Sequence, residues 1–204
     1  MRSRIVGISV CALSSALIVG CQSAPRTAEI DWETPGSVAT LDRATMGDPY
    51  ELEDVDGVSR CYIDGVFCVA SQPSAEALRG FAEDGVTVVI NLRMESEMER
   101  VDFDEAAVCA EAGMEYVYIP MGGRDRVYPP EAVDTFAEAL ERHDGKALIH
   151  CASGGRATHL YMAYLIKHRG YELEEAIAVG SGLTYRPMPL ELLLDREIGY
   201  HWAE

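Results

Sequence analysis

Ala147-Leu148-Ile149-His150-Cys151-Ala152-Ser153-Gly154-Gly155-Arg156-Ala157-Thr158 carries a short apolar run into a loop of small residues and then into an apolar helical pattern. The first four residues read as a buried strand and the helix is expected to begin at about Gly155. In open α/β sheets ligands bind beyond the carboxyl ends of the strands, so this strand-loop-helix junction is where a reactive group is expected.

The flanking sequence repeats the alternation. Val58–Tyr62 and Val66–Ala70 flank Asp64-Gly65, a two-residue hairpin signal, which places Cys61 opposite Cys68 and makes them a candidate disulfide in an oxidising compartment. Ser74 is positioned to cap a helix over Ala75–Glu83, Gly85 closes it, and Val86–Leu92 is a continuous apolar run typical of a parallel strand. A helix is expected from about Phe103 to Ala112, a strand over Tyr116–Ile119, and a helix from Pro129-Pro130 to about Arg142. Helices near Leu173–Val179 and Leu190–Leu194 finish the chain. The fold class that follows is α/β, a central, mostly parallel sheet of four to five strands flanked by helices.

The amino-terminal quarter has a different character. Met1–Arg4 is basic, Ile5–Gly20 is largely apolar but short for a bilayer span, and Ile18-Val19-Gly20-Cys21 resembles a bacterial lipobox. The resemblance implies an export signal over residues 1–20, lipidation of Cys21, and anchoring to a lipid bilayer without spanning it. Gln22 after the cysteine points to the outer membrane, facing the periplasm. Residues 21–56 are rich in Ser, Thr, Pro, Gly and acidic residues and read as a tether, which leaves 57–204 as the folded domain.

Composition narrows the function. The 204 residues carry 17 basic and 34 acidic side chains, a formal charge of −17. Nucleic acid is a poor partner for such a surface, because phosphate-backbone binding needs clustered Lys and Arg. His143, His159, His168 and His201 show no metal-ligand spacing, and Cys109 reads as a small core residue.

The chemistry concentrates in the cysteine loop. Small residues leave backbone N–H groups able to converge on an anion, and the helix N-terminus adds its positive dipole end. The same field stabilises a thiolate, which makes Cys151 a nucleophile. The planar guanidinium of Arg156 can grip two phosphate oxygens at once, alongside the amides of Ala152, Ser153, Gly154 and Gly155. Attack of Cys151 on phosphorus would give a phosphocysteine that water then hydrolyses, with no cofactor and no metal required.

His150-Cys151 followed by Gly154 and Arg156 resembles the active-site loop of cysteine-dependent phosphatases of the dual-specificity type. The match is nearest to the bacterial phosphatase-like domains called beta-lactamase-hydrolase-like. Ser71-Gln72-Pro73-Ser74, Gly85-Val86-Thr87-Val88-Val89-Ile90-Asn91-Leu92-Arg93 and Gly182-Leu183-Thr184 carry the rest of the resemblance, which covers about Val58 to Thr184. Four residues separate Cys151 from Arg156 where most dual-specificity phosphatases have five, and Ala157 stands where a hydroxyl usually follows the arginine. The resemblance implies hydrolysis of phosphate monoesters, on phosphorylated protein or a small phosphoester. It also implies a general acid in the loop Met121–Tyr128, where Asp125 is the sole carboxylate. His150 and Arg93 are supporting candidates: His150 could tune Cys151 through a hydrogen bond, and Arg93 either helps bind phosphate or pairs with Glu95 or Glu97. Two other readings stay open: a rhodanese-like sulfurtransferase with Cys151 as persulfide carrier, and a lipoprotein that binds phosphate or sulfate without turnover.

Overall fold

The computed structural model describes residues 37–41, 55–181 and 187–202. The signal segment, Cys21 and Gly182-Leu183-Thr184 lie outside the described residues. In chain order the elements are β1 (Ser37–Leu41), β2 (Cys61–Asp64), β3 (Phe67–Ala70), α1 (Ala75–Glu83), β4 (Val86–Asn91), α2 (Glu95–Met98), α3 (Glu105–Glu111), β5 (Glu115–Tyr118), α4 (Glu131–Glu141), β6 (Lys146–His150), α5 (Gly155–Arg169), α6 (Leu173–Ser181), α7 (Pro187–Leu194) and β7 (Ile198–Trp202). No helix among the described residues is long and apolar enough to cross a membrane.

Five strands form the central sheet in the order β2-β3-β6-β4-β5, parallel throughout except for β2, which turns back along β3. The apolar runs of β4 and β6 explain their central places, because a strand covered by helices on both faces needs apolar side chains on both. Alternation then sorts the core. Val88, Ile90, Ile149 and Cys151 pack with α4, α5, α6 and α7 on one face, while Val89 and Leu148 pack with Leu78 and Phe81 of α1 and Val108 and Cys109 of α3 on the other. Ala157 to Ile166 of α5 are buried all round, as expected of a helix held between a sheet and other helices.

The hairpin corrects one expectation. Its two-residue loop is Gly65-Val66 rather than Asp64-Gly65, with Gly65 at φ +59°, the sign required at the first central position of a tight hairpin turn. Cys61 therefore pairs with Ala70 and Cys68 with Ile63, so the two cysteines are diagonal rather than opposite. They still share one face, and their sulfurs lie 2.7 Å apart, buried against α1.

Two strands were not foreseen. Ser37–Leu41, inside the segment expected to be a tether, runs parallel to Ile198–Trp202 at the far end of the chain as a separate two-stranded sheet. Main-chain pairing across more than 150 residues leaves no local sequence signal on either strand.

Candidate active site

The sheet gathers its carboxyl ends into one cluster: β3 ends at Ala70, β4 at Asn91, β5 at Tyr118 and β6 at His150. The loop after β6 is pinned to the loop after β3. Cys151 N–H donates to the Ala70 carbonyl at 3.4 Å, Gln72 N–H donates to the Ala152 carbonyl at 3.4 Å, and Ser71 and Ser153 form an isolated bridge. Gly154 then turns the chain into α5 with φ +90°, a conformation that strains any residue with a Cβ. The amides of Gly155 and Arg156 open the helix, where the first turn leaves N–H groups without intrahelical acceptors. α5 thus begins four residues after Cys151, and the N-terminus of a helix favours an anion.

Cys151 lies at the floor of this site, 1% exposed, with the α5 core on one side and polar groups on the other. Arg156 and its sulfur interact electrostatically. The guanidinium is oriented by four hydrogen bonds: Nη1 donates to the Leu92 carbonyl at 3.2 Å, the Met121 carbonyl at 2.9 Å and Glu97 Oε2 at 2.7 Å, and Nη2 donates to Glu97 Oε1 at 2.7 Å. Glu97 therefore occupies the Nη1/Nη2 edge in a two-point grip. Of the five donors on the fork, the Nε–H is not used by these four bonds. Burial opposes the charge on Arg156, but Glu97 and Cys151 outweigh it and hold its pKa above the ordinary arginine value.

Glu97 was not anticipated in this role. Arg93 was expected to pair with Glu95 or Glu97; instead Glu97 reaches Arg156, because α2 is a single turn that aims this side chain back over the site. Four residues show no helical period, which is why the turn escaped detection. The Arg156 hydrogen bond is the largest cause holding the Glu97 carboxyl below its ordinary 4.5, helped by the Met94 amide and by Arg93 and opposed by burial. A group with a depressed folded pKa stabilises the protein above its unfolded pKa and loses that contribution as pH falls through the folded one. The stability gap between the parent protein and Glu97→Gln is therefore expected to shrink as pH drops from about 6 to about 3 in urea titrations; a gap constant with pH would deny the charge its part.

Tyr128 is a second unforeseen member. Burial raises its pKa, Arg156 lowers it and Cys151 raises it, so the phenol feels the charge of both. Gly122 makes the close approach possible: a Cβ there would lie 2.8 Å from Arg156 Cδ and 3.3 Å from Tyr128 Oη. Gly122 and Val127 bridge to close a small exposed loop, and Asp125 sits in it, exposed, next to Arg126.

Behind the floor lies a buried polar hub. His150 faces away from Cys151, as alternation along a strand requires, and its Nε2 lies 2.5 Å from Glu105 Oε1. Its Nδ1 meets no hydrogen-bond partner among the described residues, so the expected tuning bond to Cys151 is not made. Glu105 is 2% exposed, and its Oε2 accepts from Gln72 Nε2 at 3.2 Å and Asn91 Nδ2 at 3.1 Å. Asn91 also donates to Tyr116 Oη at 2.9 Å, and Arg93 Nη1 donates to Gln72 Oε1 at 2.6 Å. One carboxylate thus ties together the ends of β4, β6 and the loop after β3. Cys109, on the same helix, is core as expected: burial and Glu105 push its thiol up to about 12.

A cysteine just past the end of a central parallel strand, a helix that starts four residues later and a guanidinium fixed by Glu97 together accompany a cysteine-phosphatase-like fold. The family profile described as beta-lactamase hydrolase-like protein, phosphatase-like domain, matches residues 61–165, and the chain belongs to that family. A beta-lactamase hydrolase-like protein of Xylella fastidiosa (strain Temecula1 / ATCC 700964) is 28% identical over 114 residues, which are 55% of this chain and 26% of that protein. The chain thus spans about a quarter of its curated relatives' length. Among solved structures, a DUF442 protein of Shewanella putrefaciens CN-32 is 26% identical with a TM-score of 0.54, over 69% of this chain and 93% of that one. Tk-PTP in its active form (22% identity, TM-score 0.55, 70% and 99% coverage) and PTPMT1 in complex with PI(5)P (23%, 0.55, 65% and 90%) share the fold.

Proposed function

We propose that this domain hydrolyses phosphate monoesters through a phosphocysteine on Cys151. The observation that carries the reading is the Arg156 guanidinium, fixed by Glu97 and two carbonyls and interacting electrostatically with Cys151 at the end of β6. The Cys151 thiolate forms the S–P bond as the ester P–O bond breaks, and the leaving oxygen takes a proton from a carboxylic acid. Arg156 and the amides of the loop hold the equatorial oxygens, whose charge grows in the transition state. Water then attacks phosphorus, gives its proton to the same carboxylate, and releases phosphate and thiolate. Parallel assays with an aryl phosphate and with thiosulfate plus cyanide test the reading: turnover on thiosulfate alone would replace it with sulfur transfer.

Asp125 is the acid in this scheme. Glu97 is kept ionised by Arg156 and so is a poor proton donor, whereas Asp125 rides the loop hinged at Gly122 beside Arg156 and Tyr128. Asp125→Ala is expected to lower kcat on alkyl phosphates by roughly 100-fold and less on aryl phosphates, whose leaving group needs little protonation. Equal losses on both would remove Asp125 from the reaction.

The domain works at the cell envelope in this proposal, tethered through lipidated Cys21 and stapled by a Cys61–Cys68 bond. The lipobox resemblance supports the first feature and the 2.7 Å approach of the sulfurs the second. The intact mass of the non-reduced protein extracted from bacterial membranes checks both: a mature start at an acylated Cys21, and two hydrogens fewer than the dithiol form. A chain still beginning at Met1, or one carrying both hydrogens, overturns the corresponding feature.

A further inference from the structure

A cavity of about 550 Å³ lies beside the loop after β3, lined by Gln72, Arg93, Arg100 and Phe103, with Glu76 and Asp102 also on its walls. Gln72 links it to the reaction centre, since its backbone N–H donates to Ala152 of the cysteine loop. Arg93 links it a second way. Its Nη2 donates to the Glu97 carbonyl at 2.8 Å, while the carboxylate of that same Glu97 grips Arg156. The two guanidiniums are therefore held at the two ends of one residue, and Leu92, whose carbonyl accepts from Arg156, directly precedes Arg93.

No carboxylate hydrogen-bonds Arg93 among the described residues; the Glu97 carboxylate acts on it only through space and is itself gripped by Arg156. The acceptors of Arg93, Gln72 Oε1 and the Glu97 carbonyl, are neutral, and its Nε is buried with no acceptor among the described residues. Arg100 is exposed and forms no ion pair among the described residues. A half-buried guanidinium without a carboxylate is costly unless a ligand completes it. Glu76 and Asp102 cancel the field of the cavity as a whole, so the attraction is confined to the guanidinium edges, which favours a compact oxyanion over an extended polyanion.

We infer that the Arg93–Arg100 cavity is a subsite for a second anionic group, so that the substrate is a small phosphomonoester carrying another phosphate or carboxylate within a few bonds. This rests on the phosphatase reading for the first group but concerns a different pair of residues. The second anion would orient the ester at Arg156 from a fixed point outside the bowl, and would exclude singly charged esters by leaving Arg93 uncompensated.

Calorimetric titration of the Cys151→Ser protein with butyl phosphate and with 1,4-butanediol bisphosphate measures the preference without turnover. The bisphosphate is expected to bind at least about tenfold tighter, the ratio one charge-assisted hydrogen bond supplies. Adding Arg100→Ala, or Arg93→Lys, which keeps the charge and loses the fork, is expected to shrink that ratio several-fold. Each ratio is taken within one protein, so a loss of folded fraction cancels. Equal affinity for the two esters, or a ratio that neither variant moves, overturns the subsite. Hydrolysis of both esters by the unsubstituted protein is measured alongside: no hydrolysis with the binding preference intact sinks the phosphatase reading alone, and hydrolysis without the preference sinks the subsite alone.

Discussion

Cys151→Ser is expected to lose about 10⁴-fold or more in kcat on an aryl phosphate while melting within a few degrees of the parent protein. The hydroxyl is close to the thiol in volume, so the α5 side of the core that encloses residue 151 is left filled. What disappears is the anion. A serine hydroxyl ionises far above neutral pH, and one helix end with one guanidinium cannot bring it within range, whereas a thiol starts only one or two units away. Phosphate should still bind, because Arg156 and the loop amides are untouched. Residual turnover within tenfold of the parent would mean that phosphorus is attacked by something other than residue 151.

Glu105→Ala is expected to cost about 3 kcal/mol of stability, read from urea unfolding, although residue 105 touches neither sulfur nor guanidinium. The loss strands a fully buried imidazole and the fully buried side-chain amide of Asn91, neither of which water can reach without opening the sheet end, and takes one acceptor from the half-buried Gln72. Glu105→Gln should cost less, since its carbonyl still faces some of these donors. A Glu105→Ala protein within 1 kcal/mol of the parent would show that the hub is hydrated in solution.

Residues near one another in sequence made the fold legible. The apolar runs at Val86–Leu92 and Ala147–His150, the cap at Ser74 and the loop from Cys151 to Arg156 each announce themselves within a dozen positions, and the sheet, its parallel sense and the place of Cys151 at the end of β6 follow from them. The groups that reading missed act across long separations. Glu97 reaches Arg156 over 59 positions, and Glu105 sits behind a histidine 45 positions away, as one acidic residue among 34. In so acidic a chain a carboxylate carries almost no information until the strands bring it to a partner. Tyr128 was equally silent, its place set by a glycine whose missing side chain matters only against Arg156. The hairpin slipped by one position because Asp64-Gly65 and Gly65-Val66 both suit a two-residue turn, and the pairing of the strands decides between them.

The parallel ribbon of Ser37–Leu41 with Ile198–Trp202 bears on where the molecule can be cut. A shortened version starting at residue 57 would keep every group around the nucleophile yet expose the main-chain donors and acceptors of the last strand. Bare edges of that sort invite a second copy to supply the missing partner. Trimming upstream of Ser37 instead preserves the ribbon, so an active but sticky fragment and a well-behaved one should differ by some twenty residues that include the partner of the last strand.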